Sequence, residues 1–150
     1  MSKIVYGSKY KSGMSRVEIA KAIRAEIKSA VKSGALPKAK YSVRCRSYSG
    51  GGSIDVAIAN VEQVGFELYN QERLARDLSG EYSSHMLPWM APEAMALVGK
   101  VEAIVGAYNF DGSDSMSDYF HVNFYGSVDF ESEYQCAMRE SAVAKVKVAA

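Results

Sequence analysis

The chain lacks most features that would name a catalyst or a secreted scaffold. It has two cysteines, Cys45 and Cys136, in 150 residues. That is too few for a disulfide framework. Both read as buried free thiols, Cys45 on a strand and Cys136 in an amphipathic segment, with one disulfide between them as the other reading. The two histidines, His85 and His121, do not stand at zinc-motif spacing with the cysteines. There is no G-x-S-x-G, no phosphate-binding Gly-Lys loop and no paired-carboxylate motif. A Cys/His catalytic pair stays open, because such partners need meet only in space. No apolar run approaches the roughly 20 residues of a membrane-spanning helix. Residues 1–11 lack the apolar stretch of a signal peptide. The expectation is a cytoplasmic, reduced protein with no membrane partner.

Acids are scarce in one part of the chain only. Residues 1–50 hold twelve Lys and Arg against two acids, Glu18 and Glu26, a formal +10; residues 51–150 hold six against fifteen, a formal −9. The net charge of +1 conceals this division. A basic third joined to an acidic remainder suggests electrostatic recognition of a partner.

The length suits a single domain over residues 1–150, which can build a core without metals or staples. Residues 1–13 read as a flexible arm or a short edge strand at Ile4-Val5-Tyr6. Ser15-Arg16-Val17-Glu18 is a capping box, so a helix is predicted over 16–33, stopped by Gly34. Ile19, Ala20, Ile23, Ile27, Ala30 and Val31 form its apolar face. Residues 40–48 and 53–58 alternate around a turn at Ser49-Gly50-Gly51-Gly52, a β-hairpin spanning 40–58. Tyr41, Val43 and Cys45 share one side of it; Arg44, Arg46 and Tyr48 share the other. Val64, Leu68, Gln71, Ala75 and Leu78 fit a helix starting after Val61 or Asn70. Pro92 opens another over 92–105, with Met95, Val98, Val101, Ile104 and Val105 inward. Residues 118–125 alternate as a strand, with Val128 and Phe130 continuing it past a bulge at Gly126. Residues 131–150 read as a terminal helix or tail. The expected fold is α+β: a small antiparallel sheet, hairpin 40–58 plus strand 118–125, with helices 16–33 and 92–105 packed on one face.

Two stretches carry a family resemblance. Residues 15–56, including SRVEIAKAIRAEIKSAV and YSVRCRSYSGGGSIDV, resemble the large polyvalent protein-associated domain of type twenty-nine. Residues 107–126, AYNFDGSDSMSDYFHVNFYG, look like its C-terminal part. The resemblance covers about residues 15–130. It implies a protein of a phage, plasmid or other mobile element, with no enzymatic activity. It also implies, by analogy, a counter-defence (anti-CRISPR-like) role: occluding a site on a host protein or nucleoprotein complex.

The candidate sites follow the charge. Lys21, Arg24, Lys28 and Lys32 line up as a cationic stripe on the first helix. Arg44 and Arg46, with Lys38 and Lys40, extend it on the hairpin. The patch serves a host protein or a nucleic-acid backbone, or is a solvated face whose arginines pair with Asp55. An accessory module binding nucleic acid through this face alone is the competing function; no base-reading motif accompanies it. Asp111, Asp114 and Asp118, with Tyr119 and Tyr125, form an acidic and aromatic turn that Glu102, Asp129, Glu131 and Glu133 could enlarge. It serves a basic partner by resembling nucleic-acid phosphate, or it is turn chemistry. The spacing is not that of an EF-hand. Gly50-Gly51-Gly52 leads into a strand, not a helix, and so is no phosphate cradle. Trp89 and Met90, next to Met86 and Pro88, pack on the core or anchor a partner or a homodimer. No cofactor, metal or catalytic residue is expected.

Overall fold

The computed structural model describes residues 5–6, 9, 15–48, 51–81, 84–111 and 124–149. Expectations for Asp114, Asp118, Tyr119 and His121 lie outside the described residues, as does the Ser49-Gly50 turn.

Helix α1 (Arg16–Ser33) begins where its capping box dictates. The Ser15 hydroxyl accepts from the Glu18 N–H at 3.2 Å, and the Glu18 carboxylate accepts from the Ser15 N–H at 3.3 Å. Gly34 ends it at φ 87°, a left-handed conformation that favours glycine. Ile19, Ala20, Ile23 and Ile27 are buried along one face.

Strands β2 (Lys40–Tyr48) and β3 (Gly51–Ala59) form the expected hairpin, with Val43 opposite Val56 and Arg44 opposite Asp55. The second strand starts earlier than alternation suggests. Gly51 and Gly52, expected in the turn, pair with Tyr48 and Ser47. Glycine suits this place: a Cβ at Gly52 would lie 2.6 Å from the Arg46 carbonyl oxygen, inside the Arg16 side chain's space.

The remaining elements are α2 (Gln71–Ser79), a 3-10 turn at Ser84–Met86, α3 (Pro92–Gly106), β5 (Tyr125–Phe130) and α4 (Ser132–Ala149). A separate two-stranded ribbon joins β1 (Val5–Tyr6) to β4 (Phe110–Asp111). The fold is α+β, with a mixed three-stranded sheet in the order β2-β3-β5.

The sheet corrects one expectation. Residues 118–123 of the expected third strand lie outside the described residues, and β5 begins at Tyr125. It runs parallel to β3, not antiparallel, with Val56 opposite Val128 and Ile58 opposite Phe130. The cause is the connection. Two α-helices lie between the strands among the described residues, enough chain to return to the starting end of the sheet before running the same way.

Ile54, Val56 and Ile58 of β3 are fully buried beneath α1, with α3 packed beside it on β5, while Ser53, Asp55 and Ala57 turn to the other, more open face. Burial also corrects several helical phases. In α3 the inward residues are Ala94, Leu97, Val98, Val101 and Val105, while Met95 is exposed and Ile104 half-buried. Around α2, Leu68 is buried but precedes the helix; only Leu74 is buried within it, and Ala75 and Leu78 are exposed. Cys45 is half-buried and Cys136 exposed; both are free thiols, so the expectation of two buried ones fails at Cys136. That residue lies on the outer side of α4 because the helix seats Tyr134, Met138 and Ala142 inward.

Candidate functional site

Helix α1 runs antiparallel to β2, and two side chains fix the alignment. Arg16 Nη2 donates to Ser47 Oγ at 3.1 Å, and Arg24 Nη2 donates to the Val43 carbonyl oxygen at 2.7 Å. The eight residue steps from Arg16 to Arg24 span about 12 Å of helix, and the four from Ser47 to Val43 about 13 Å of strand. Helix and strand therefore keep step.

Beyond Arg24 the two elements enclose a groove of about 620 Å³. Ile27, Val31, Ala39, Tyr41 and Val43 line it, and Arg24, Lys28 and Lys32 rim it. Its floor is firm. The Tyr41 hydroxyl donates to the Pro37 carbonyl oxygen at 2.7 Å, and burial pushes its pKa up to about 12. Of the floor residues, Tyr41, Val31 and Ala39 are partly buried, packed against the core without being closed off by it.

The predicted cations divide into two groups. Lys21, Lys28, Lys32 and Arg44 are exposed, and no carboxylate among the described residues lies within ion-pair distance of them. Lys38 is exposed and unpaired in the same sense. Arg24 spends its guanidinium on the Val43 carbonyl. Others are matched: Lys9 with Glu26, Lys40 with Glu131 at 3.2 Å, and Arg46 with Asp55 at 3.6 Å. The sequence-level division of charge thus folds partly back on itself.

That folding-back occurs on the sheet's open face. A second depression, about 430 Å³, holds Lys40, Arg44 and Arg46 of β2 together with Asp129 of β5 and Glu131 and Glu133 beyond it. Asp55 stands between them, accepting from Ser127 Oγ at 2.6 Å and from Ser53 Oγ at 3.1 Å. Acidic residues expected to enlarge a separate anionic surface instead border the basic strand. Glu102 lines a different recess with Val105, Asn109 and Val128. Tyr125 is exposed at the β5 start, opposite Ser53. Asp111 pairs with Val5 through the backbone.

The aromatic loop packs inward. Trp89 is half-buried with its ring 5.4 Å from Tyr69, and Met90 is half-buried; Met86 is exposed. His85 is exposed in the 3-10 turn. Among the described residues no group of three His, Cys, Asp or Glu could hold a metal ion. No helix among them is long and apolar enough to cross a membrane.

Sequence reasoning missed two arrangements. One is the groove floor, read only as core; the clue was that Val31 and Tyr41 sit at the margins of their apolar faces, next to lysines. The other is Glu26, one of two acids in the basic third. It accepts from the Tyr108 hydroxyl at 2.8 Å and pairs with Lys9. Burial works to raise its pKa, but Lys9 and Tyr108 together hold it below the usual carboxylate range. Burial and the Glu26 charge push Tyr108 up to about 12.

No protein-family model matches the chain, and no curated protein or solved structure is similar to it. The resemblance to the polyvalent protein-associated domain rests on the quoted motifs.

Proposed function

We propose that this chain is a non-enzymatic binding protein that engages an acidic segment of a partner protein along the groove between α1 and β2. The observation that carries the reading is an apolar groove rimmed by Lys28 and Lys32, neither neutralised by a described carboxylate. An apolar floor under cations suits a peptide, which brings aliphatic and acidic side chains together. A nucleic-acid backbone would use the cations and leave the floor idle. Stacking would need an exposed ring face, and the Tyr41 ring is half-buried against the core. The open sheet face suits nucleic acid less, since Asp129, Glu131 and Glu133 border its arginines.

The biological setting we propose comes from the resemblance: a mobile-element protein that occludes a site on a host protein or nucleoprotein complex, in a counter-defence role. Loss of a host's phage restriction when the chain is expressed supports that setting; unchanged restriction across several defence-bearing hosts removes it.

Fluorescence anisotropy tests the binding reading. Labelled oligoglutamate, oligolysine and a duplex DNA are each titrated at low and high salt. Oligoglutamate should bind with a steep salt dependence, and Lys28→Glu with Lys32→Glu should weaken it about tenfold, a few tenths to 1 kcal/mol per exposed charge pair. Preference for DNA over oligoglutamate would move the function to the nucleic-acid reading.

A further inference from the structure

The groove borders a sheet edge that no other described strand pairs, and its backbone groups have a definite direction. The Glu131 N–H donates to the Ile58 carbonyl oxygen at 2.9 Å, so Ile58 turns its backbone groups toward β5. Backbone groups alternate sides along a strand. Ile54 and Val56 therefore also face β5, while Ser53, Asp55 and Ala57 face β2. Their register partners Arg46, Arg44 and Ser42 face back toward β3. Tyr41, Val43 and Cys45 are left facing outward. The Arg24 bond to the Val43 carbonyl agrees independently, since only an outward carbonyl could receive it from α1.

Strand β2 ends the sheet order, and among the described residues no backbone group pairs with the outward N–H and C=O of Tyr41 or Cys45. Proteins commonly guard such an edge with charge. Here Arg24 covers one acceptor and leaves the flanking groups open.

We infer that the outer edge of β2 takes an extended acidic peptide as a fourth strand; this rests on the binding function proposed above and adds its mode. Main-chain bonds to Tyr41 and Cys45 give register. Peptide side chains on one phase enter the groove over Val31, Tyr41 and Val43; those on the other lie outside the β2 edge beside Arg44, which has no described carboxylate within ion-pair distance and is separated by β3 from Asp129 of β5. The chemistry recognised is an alternation of aliphatic and acidic residues. Arg24 gives up the Val43 carbonyl to the incoming N–H and moves to the groove rim beside Lys28. Lys28 and Lys32 discriminate against basic sequences through their field.

The test uses a short labelled peptide alternating glutamate with leucine and valine, in two N-methylated forms. One form carries methyl groups on the odd amides, the other on the even amides. Only one set of amides can face β2. One form should lose binding at least tenfold while the other keeps it, and the amide resonances of Tyr41 and Cys45 should shift on binding of the unmodified peptide. If the unmodified peptide binds with dependence on Lys28 and Lys32 but both methylated forms bind alike, strand addition is wrong and the binding function stands. If no acidic peptide binds, both are wrong. If the protein alone self-associates with protection of the Tyr41 and Cys45 amides, the occupant is a second copy and the inference fails.

Discussion

Arg24 reaches from α1 across the margin of the sheet and donates to the Val43 carbonyl oxygen at 2.7 Å. One side chain thereby fixes helix to strand and covers a point on an otherwise open edge. A charged donor on a partly buried carbonyl contributes about 1–2 kcal/mol. Arg24→Ala should lower stability by that amount in urea titrations. It should also increase self-association in sedimentation velocity, because the edge loses its guard. A monomer of unchanged stability would remove Arg24 from this role.

Ile23 is fully buried where α1 meets the sheet and α3. Ile23→Ala should cost about 3 kcal/mol through lost burial and a residual cavity. Chemical denaturation measures this. A cost below about 1 kcal/mol would mean that α1 is not seated on the core as described.

Gly52→Ala should destabilise the hairpin, since the added Cβ would fall 2.6 Å from the Arg46 carbonyl oxygen. Backbone must move to relieve that contact, so a loss of about 1–3 kcal/mol is expected in thermal or urea unfolding. Gly34→Ala should cost about 1–2 kcal/mol for a different reason, a left-handed φ of 87° in open space. Combining the two should give nearly additive losses, because they lie at opposite ends of α1's contact with β2.

Half-buried tyrosines shape the alkaline limit: burial raises Tyr69 and Tyr134, and raises Tyr41 and Tyr108 furthest among the described ones. Tyr41 and Tyr108 have folded pKa values of about 12, above the unfolded value of 10.0. A raised pKa means that the neutral form is favoured by folding. The associated stability is complete below pH 10 and is lost as pH rises toward 12. Phenolate absorbance should show these two ionising late, together with unfolding. Tyr108→Phe should remove part of the late phase. Glu26 acts at the other extreme: its lowered pKa adds stability above the unfolded carboxylate range, lost as pH falls through the folded value. Glu26→Gln should flatten that acid limb. An unchanged acid limb in the variant would contradict the Lys9–Glu26–Tyr108 arrangement.

What was legible in the sequence was local. The Ser15–Glu18 box, Gly34 and the hairpin alternation depend on residues a few positions apart, and each appears in the structure where expected. The strand at Tyr125–Phe130 was glimpsed only through Val128 and Phe130. Its parallel direction depends on a crossover of more than sixty residues, although the intervening helices were themselves a signal. Met95 was misassigned because α3 is apolar nearly all round, so several phases fit equally well. The charge division misled most at Lys40. Alternation turned it to the open sheet face, and only tertiary pairing brought Glu131 there, whereas the Arg46–Asp55 pair is the cross-hairpin pairing that the sequence offered as its alternative.

The most direct test of the binding account is an amide-resolved titration of the folded protein with oligoglutamate at low salt. Shifts should concentrate on residues 24–32 and 39–45 and disappear when Lys28 and Lys32 are both reversed to Glu. Shifts centred instead on residues 125–133, or none at all, would contradict it.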